Sequence, residues 1–267
     1  MDVAIASGAV PEQFWKRLSI AEKPILLLDY DGTLAPFQIE RNQATPYPGV
    51  SNVLKEIIAV GTRVVVITGR PIKELVILLN ISPLPEIWGA HGLERLLSGG
   101  EIEKFPLDPK IEHALNEAAL AARSNTEDER VEVKHGCVAL HWRGVKESIV
   151  FNLKKKIEPV WQKIASLYKL ELLNFDGGLE LRVPGRNKGY AVHKVITEAD
   201  DQVIAAYLGD DLTDEDGFRA VKAARGLSIL VRPEYRETEA EVWLRPPGGL
   251  LDFLNRWLHV VTNEGVR

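Results

Sequence analysis

Four consecutive aliphatic residues, Ile25 to Leu28, run straight into the polar stretch Asp29-Tyr30-Asp31-Gly32-Thr33. An apolar run this short with no polar alternation reads as a strand buried on both faces, the kind found where helices cover both sides of a parallel sheet. Val64 to Ile67 repeats the pattern. Between the two, Val50, Val53, Leu54, Ile57 and Ile58 follow helical spacing behind Pro48-Gly49, which completes a strand, helix, strand unit. The same grammar returns after residue 185. A helical stretch from Gly189 leads to a strand through Ala205 to Leu208, then a helix after Asp214 and a strand over Leu227 to Val231. Leu250, Leu251, Leu254, Trp257, Leu258 and Val261 mark an amphipathic closing helix. The expected core is a parallel sheet.

From about residue 98 to 184 the rhythm changes. Val138, Leu140 and Trp142 alternate with Ala139, His141 and Arg143, and Leu181 alternates with Glu180 and Arg182, so each of these strands has one apolar and one polar face. A helix from Lys154 to Tyr168 is interleaved with them. This segment reads as a smaller α+β insertion in the α/β core.

A chain of 267 residues is long enough for one or two domains. Hydrophobic residues at 45% and charged residues at 27% are ordinary globular proportions, which argue against a disordered or fibrous chain. The net charge of -5 and the scattered lysines and arginines leave no footprint for nucleic acid or an anionic membrane. The basic run Lys154 to Lys156 reads as a solvated helix face. No apolar stretch approaches the ~18 residues of a bilayer span, and the N-terminal residues lack a basic region followed by an apolar core. The expectation is a protein that is neither secreted nor membrane-inserted. The single cysteine, Cys137, reads as a buried, unreactive thiol, which fits a reducing cytoplasm. Attraction for an anionic substrate must then come from a local site or a metal.

Ligands of open α/β sheets bind outside the carboxyl ends of the strands, and Asp29 and Asp31 stand at such an end. Alternation sends residues i and i+2 the same way, so both carboxylates can converge while Gly32 permits a sharp turn. One carboxylate can act as nucleophile toward phosphorus and its neighbour as general acid and then base. Thr68-Gly69-Arg70 follows the second strand and Gly209-Asp210-Asp211-Leu212-Thr213-Asp214 a later one, on the same rim. A magnesium ion held by Asp29, Asp210 and a backbone carbonyl suits that ion's preference for few oxygen ligands and retained water. Lys188 adds a positive charge.

In their order along the chain, Asp29-Tyr30-Asp31-Gly32-Thr33, Thr68, Lys188 and Gly209-Asp210-Asp211 resemble the motifs of the haloacid dehalogenase superfamily of aspartyl-phosphate phosphatases. The resemblance implies a Rossmann-like parallel-sheet hydrolase core formed by residues 1–97 and 185–267, with an inserted α+β cap domain over 98–184. It makes Asp29 the nucleophile, Asp31 the acid/base, Thr68 and Lys188 further catalytic residues, and Asp29, Asp31 and Asp210 the magnesium ligands. More narrowly, Gly209 to Asp216, Gly89-Ala90-His91-Gly92, Leu140 to Arg143 and Glu180-Leu181-Arg182 are similar to the trehalose-6-phosphate phosphatase family. That likeness implies hydrolysis of trehalose 6-phosphate, with Gly69, Arg70, His91, Arg143, Glu180 and Arg182 on the substrate, and a sugar-phosphate synthase as partner. Two positions depart from the family's pattern: Val183-Pro184 stands where proline usually follows the arginine directly, and Ala90 replaces a common asparagine.

Plainer readings stand beside these. Asp210 can cap the following helix, Thr68 can simply make a turn, and Asp211 and Asp214 can be caps or groups behind the site. His91, His141, Arg143, Glu180 and Arg182 can be the solvated face of a half-buried sheet. Trp88, Trp142, Trp243 and Trp257 read as core. The competing functions are a phosphatase of another glycosyl phosphate, such as glucosylglycerol or mannosylglycerate phosphate, and a catalytically silent sugar-phosphate-binding module.

Overall fold

The computed structural model describes residues 8–38, 40–97, 100–175, 177–199 and 203–263. They divide into two compact units, one running to Ile102 and resuming at Asn187, the other spanning Glu103–Arg186.

The first unit is built on one large sheet. Its strands are β1 (Pro24–Leu28), β2 (Arg63–Ile67), β3 (Glu86–Gly89), β4 (Glu94–Leu96), β5 (Ile102–Lys104), β10 (Ile204–Gly209), β11 (Leu227–Val231) and β12 (Val242–Leu244). They lie in the order β12-β11-β10-β1-β2-β3-β4-β5. From β12 to β3 neighbouring strands are parallel, and β4 pairs antiparallel with β3. Every residue of β1 and of β11 is buried. Each leucine of β1 contributes roughly 1.5–3 kcal/mol by leaving water. Side chains of Leu26, Leu28, Val64, Val66, Ile229 and Val231 gather on one face with helices α1 (Glu12–Ser19), α2 (Val50–Ala59), α3 (Ile72–Leu79) and α8 (Gly248–Asn263). On the other, α6 (Lys188–Thr197) and α7 (Glu215–Ala223) lie against β2, β10 and β11, with the Tyr207 ring 5.6 Å from Phe218.

Register decides where the polar loops emerge. Leu28 pairs with Val66 on one side and Leu208 on the other, so Asp29, Thr68 and Asp210 leave their strands at one edge of the sheet. Strand β4 and, beside it, β5 extend the large sheet, and the smaller unit begins at Glu103.

The second unit carries β6 (Val131–Lys134), β7 (Cys137–His141), β8 (Glu171–Phe175) and β9 (Gly178–Arg182), antiparallel in the order β6-β7-β9-β8. Helices α4 (Pro109–Arg123) and α5 (Glu147–Tyr168) cover one face, where Val131, Val138, Leu140, Leu179 and Leu181 meet Leu115, Ala118, Ile157 and Trp161. Asp108 caps α4 by accepting the Lys110 N–H. Helix α5 starts at Glu147, earlier than the apolar spacing indicates, because residues 147–152 bury nothing fully and so leave no periodic signal. Among the described residues no helix is long and apolar enough to cross a membrane.

Candidate active site

Asp29 is the first residue beyond β1, and its N–H still donates to the Leu208 carbonyl at 2.8 Å, so the sheet fixes its backbone. The side chain is 4% exposed. One oxygen accepts from Lys188 Nζ at 2.6 Å and the other from the Thr33 hydroxyl at 3.2 Å. Lys188 opens α6, whose N-terminus is capped by Asn187 accepting the Tyr190 N–H. Its ammonium also donates to Asp214 Oδ1 at 2.7 Å. Burial alone would lower the Lys188 pKa, but Asp214 and Asp29 outweigh it and hold the ammonium well above the usual lysine range.

Asp214 is fully buried and settles its own alternatives. Besides Lys188 it accepts from the Tyr207 hydroxyl and from the N–H groups of Asp210 and Asp211 at 3.1 and 3.0 Å. It is therefore both a cap of its own loop and the group that steadies the lysine from behind. Asp211 caps the short turn Leu212–Asp214 through its side chain.

Asp210 is 2% exposed, and its Oδ1 is buried with no hydrogen-bond partner. Carboxylate oxygens of Asp29, Asp210 and Asp214 all lie within 4.8 Å of one another. Three carboxylates against one ammonium leave a net buried charge of about -2 if all are ionised, which costs heavily without a further cation. The acidities register this. Burial, which outweighs the opposing pull of Lys188 and is helped by the Asp214 charge, pushes Asp29 up to about 7; burial and the Asp29 charge push Asp210 well above the carboxylate range. An orphaned buried oxygen, three convergent hard donors and an uncompensated negative charge fit a divalent cation such as magnesium. Gly32 makes room for the arrangement: its φ is +87°, and a Cβ there would stand 2.2 Å from Asp210 Oδ2.

The Asp31 carboxylate is not one of the convergent three. The strand has ended, and the chain turns through a bridge between Asp31 and Ala35, so the alternation that would align Asp31 with Asp29 no longer applies. Arg70 takes the Asp31 carboxylate instead, with Nε and NH2 donating at 2.7 and 2.6 Å in a fork. Thr68, fully buried, accepts the Arg70 N–H on its hydroxyl at 3.1 Å, which leaves its own hydrogen to donate. The His91 ring closes over Gly69, where an added Cβ would sit 2.6 Å from it. His91 and Ala90 both have positive φ, 55° and 47°. Asparagine enters the left-handed region more readily than alanine, whose Cβ costs roughly 1–2 kcal/mol there.

In the second unit the face of the sheet opposite α4 and α5 is polar. Register sets Glu132 and Glu180 on either side of Ala139, and Lys134 and Arg182 on either side of Cys137. All four charged side chains are 12% exposed or less. Lys134 pairs with Glu132 at 3.2 Å, Arg182 with Glu171 at 3.2 Å, and His141 Nε2 lies 2.9 Å from Glu132. Arg143 stands beyond the end of β7 against Gly177. Cys137 is buried, which pushes its thiol well up.

A profile of the trehalose-phosphatase family matches residues 27–243. The chain belongs to the trehalose-phosphatase family. It is thus a phosphoric monoester hydrolase with a haloacid-dehalogenase-type fold. Trehalose-phosphate phosphatase B of Arabidopsis thaliana is 28% identical over 255 residues, covering 87% of this chain and 65% of that one. Alpha,alpha-trehalose-phosphate synthase (UDP-forming) B of Dictyostelium discoideum is 27% identical over 242 residues, which cover 88% of this chain and 30% of the synthase. Among solved structures, the C-terminal domain of C. albicans trehalose-6-phosphate phosphatase superposes with a TM-score of 0.82 at 20% identity, covering 97% of this chain and 99% of that one.

Within this trehalose-phosphatase fold, Asp29, Asp31, Thr68, Gly69, Arg70, His91, Lys188 and Asp210 all fall in the first unit, while Arg143, Glu180 and Arg182 fall in the second. Glu132 and Lys134 escaped the sequence reading, although Val131-Glu132-Val133-Lys134 alternates as the strand of Glu180 does. Tyr207 escaped it too: it looked like one more apolar residue of β10, yet its hydroxyl reaches Asp214.

Proposed function

We propose that the chain hydrolyses trehalose 6-phosphate to trehalose and phosphate, in a magnesium-dependent reaction that passes through an aspartyl-phosphate on Asp29. The observation that carries this reading is the buried Asp29 carboxylate, fixed by Lys188 and Thr33 beside an Asp210 oxygen with no protein partner. Asp29 attacks phosphorus in line; the bond from phosphorus to the sugar oxygen breaks, and Asp31 delivers a proton to that oxygen. Asp31, now a carboxylate, takes a proton from a water that attacks phosphorus and frees Asp29. Its side chain is 28% exposed, so it can exchange an Arg70 bond for the sugar oxygen. Asp29 and Asp210 would hold the magnesium ion, which would supply positive charge against the phosphoryl oxygens. Lys188 and the Thr68 hydroxyl are placed to donate to the same oxygens, and the Lys188 bond to Asp29 favours the ionised form of that carboxylate.

The polar face around Ala139 in the second unit supports sugar recognition. Glu132, Lys134, Glu180 and Arg182, set around Ala139 and Cys137 by the register, carry both acceptors and donors suited to hydroxyl groups. The buried Cys137 supports a cytoplasmic enzyme, and the likeness to part of a synthase supports a partnership with a sugar-phosphate synthase.

Phosphate release from trehalose 6-phosphate, measured beside glucose 6-phosphate, sucrose 6-phosphate and glucosylglycerol phosphate with magnesium or EDTA, tests the proposal. The expected result is a magnesium-dependent preference for trehalose 6-phosphate. Preference for another ester would overturn the sugar assignment alone, and silence on all four would favour a binding module.

A further inference from the structure

Asp210 presents an oxygen that no protein group holds, so its aim is set by its backbone. Two sets of contacts grip that backbone from opposite sides. Asp214 Oδ2 takes the N–H groups of Asp210 and Asp211. On the other side Arg236, in the loop between β11 and β12, takes their carbonyls. Its Nε donates to Asp210 O at 3.2 Å and its NH2 to Asp211 O at 2.8 Å. Arg232 adds a longer bond to Asp210 O at 3.4 Å.

Arg236 is itself anchored. Its NH1 pairs with Glu215, and the oxygens of Glu215 accept from the Thr238 hydroxyl at 2.9 Å and the Glu239 N–H at 2.7 Å. The guanidinium is 17% exposed and Glu215 14%. A planar fork joined to two successive carbonyls fixes the orientation of the peptide plane between them, which a single point donor such as lysine does not do. Turning that plane would swing the Asp210 carboxylate away from Asp29. The positive charge also sits behind a cluster of three carboxylates whose mutual repulsion would otherwise push the loop outward.

We infer that Arg236, braced by Glu215, is a positioning residue that holds the Asp210 loop in its cation-binding geometry. The inference rests on the magnesium role given to Asp210 above. Groups that orient ligands in this way typically change metal affinity by about 10–100-fold when removed.

Magnesium binding to the purified protein, measured by calorimetry without substrate, separates the possibilities, together with the magnesium dependence of phosphate release. Arg236→Ala is expected to weaken magnesium binding at least about tenfold and to raise the magnesium needed for half-maximal rate in parallel, with the KM for sugar phosphate unchanged at saturating magnesium. Arg236→Lys should recover part of the affinity, and Glu215→Gln should show a smaller loss that does not add to that of Arg236→Ala. These two variants carry the test if the alanine variant does not fold. Magnesium affinity within about twofold of wild type in the variants, with only melting temperature lowered, would reduce Arg236 to a structural brace. Wild-type protein that binds no magnesium would instead remove the reading beneath the inference.

Discussion

Both units bury charged side chains, but they balance them differently. On the sheet face of the second unit, Glu132 has Lys134 and His141, and Arg182 has Glu171, so the charges meet opposite partners within that face. In the first unit, Asp29 and Asp214 share Lys188, and Asp210 Oδ1 beside them has no hydrogen-bond partner. A matched set suits recognition of a neutral, hydroxyl-rich group, because each ion keeps its partner while offering spare lone pairs and protons. An unmatched set suits chemistry, since it stores a demand for positive charge that a bound cation meets, and that cation can then face an anionic phosphoryl group.

The sharpest way to break this contrast is to neutralise one carboxylate in each unit. Asp29→Asn should lower phosphate release from every ester by about 10⁴-fold or more, because the nucleophile is gone, while the fold persists with Lys188 still bound to Asp214. Glu180→Gln should reduce kcat/KM for the sugar phosphate by about 10–100-fold, the value of one charged hydrogen bond, and leave a phenyl phosphate ester unaffected. Steady-state kinetics of the two variants on both esters decides the matter. Equal losses on both esters for Glu180→Gln would show that the second unit takes part in chemistry and dissolve the division of labour.

These two carboxylates also differ in how they can be read from sequence. Asp29, Thr68 and Asp210 were legible because a parallel sheet delivers the residues after its strands to one rim whatever the loops do, and apolar runs mark where strands end. Asp31 was legible as a carboxylate beside that rim but not in its contact with Arg70, since the alternation used to place it stops once the chain turns. Glu132 and Lys134 needed a register: β6 is an edge strand, and nothing local in Val131 to Lys134 says that it lies beside Ala139 rather than elsewhere. Arg236 left no signal at all, because it works on backbone carbonyls, and any pair of carbonyls looks alike in a sequence.

The unmatched charge has a second consequence, in stability. Without metal, Asp29 titrates near 7 in the folded chain and near 3.8 when unfolded, and Asp210 shifts in the same direction. Between those values the folded state binds more protons than the unfolded state, so stability is greatest at low pH in this window and declines as pH rises through it. In EDTA the melting temperature should therefore fall from pH 5.5 to pH 8, and magnesium should restore more of it at pH 8 than at pH 5.5. Thermal melts across that range, with and without magnesium, provide the check. A metal-free melting temperature that stays level or climbs would mean that the three carboxylates are matched after all.

The smallest effect concerns the loop after β3, where the strain is conformational rather than electrostatic. Ala90 and His91 sit consecutively in the left-handed region, at a cost of roughly 1–2 kcal/mol for each residue with a Cβ. His91 is committed to its place by the N–H it gives to Thr68 O and by its ring against Gly69. Ala90 is 1% exposed, and no side-chain bond of its own offsets the backbone cost. Ala90→Gly should stabilise the protein by about 0.5–1 kcal/mol net of the entropy that glycine gains in the unfolded chain, a shift of about 1–3 °C in melting temperature for a chain of this size. Ala90→Asn should gain less, because its larger side chain must fit a closed site. If both variants instead lowered the melting temperature while phosphate release rose, the strain would belong to the loop's packing around His91, and this loop, like the carboxylates, would be holding an unfavourable state for the sake of the reaction.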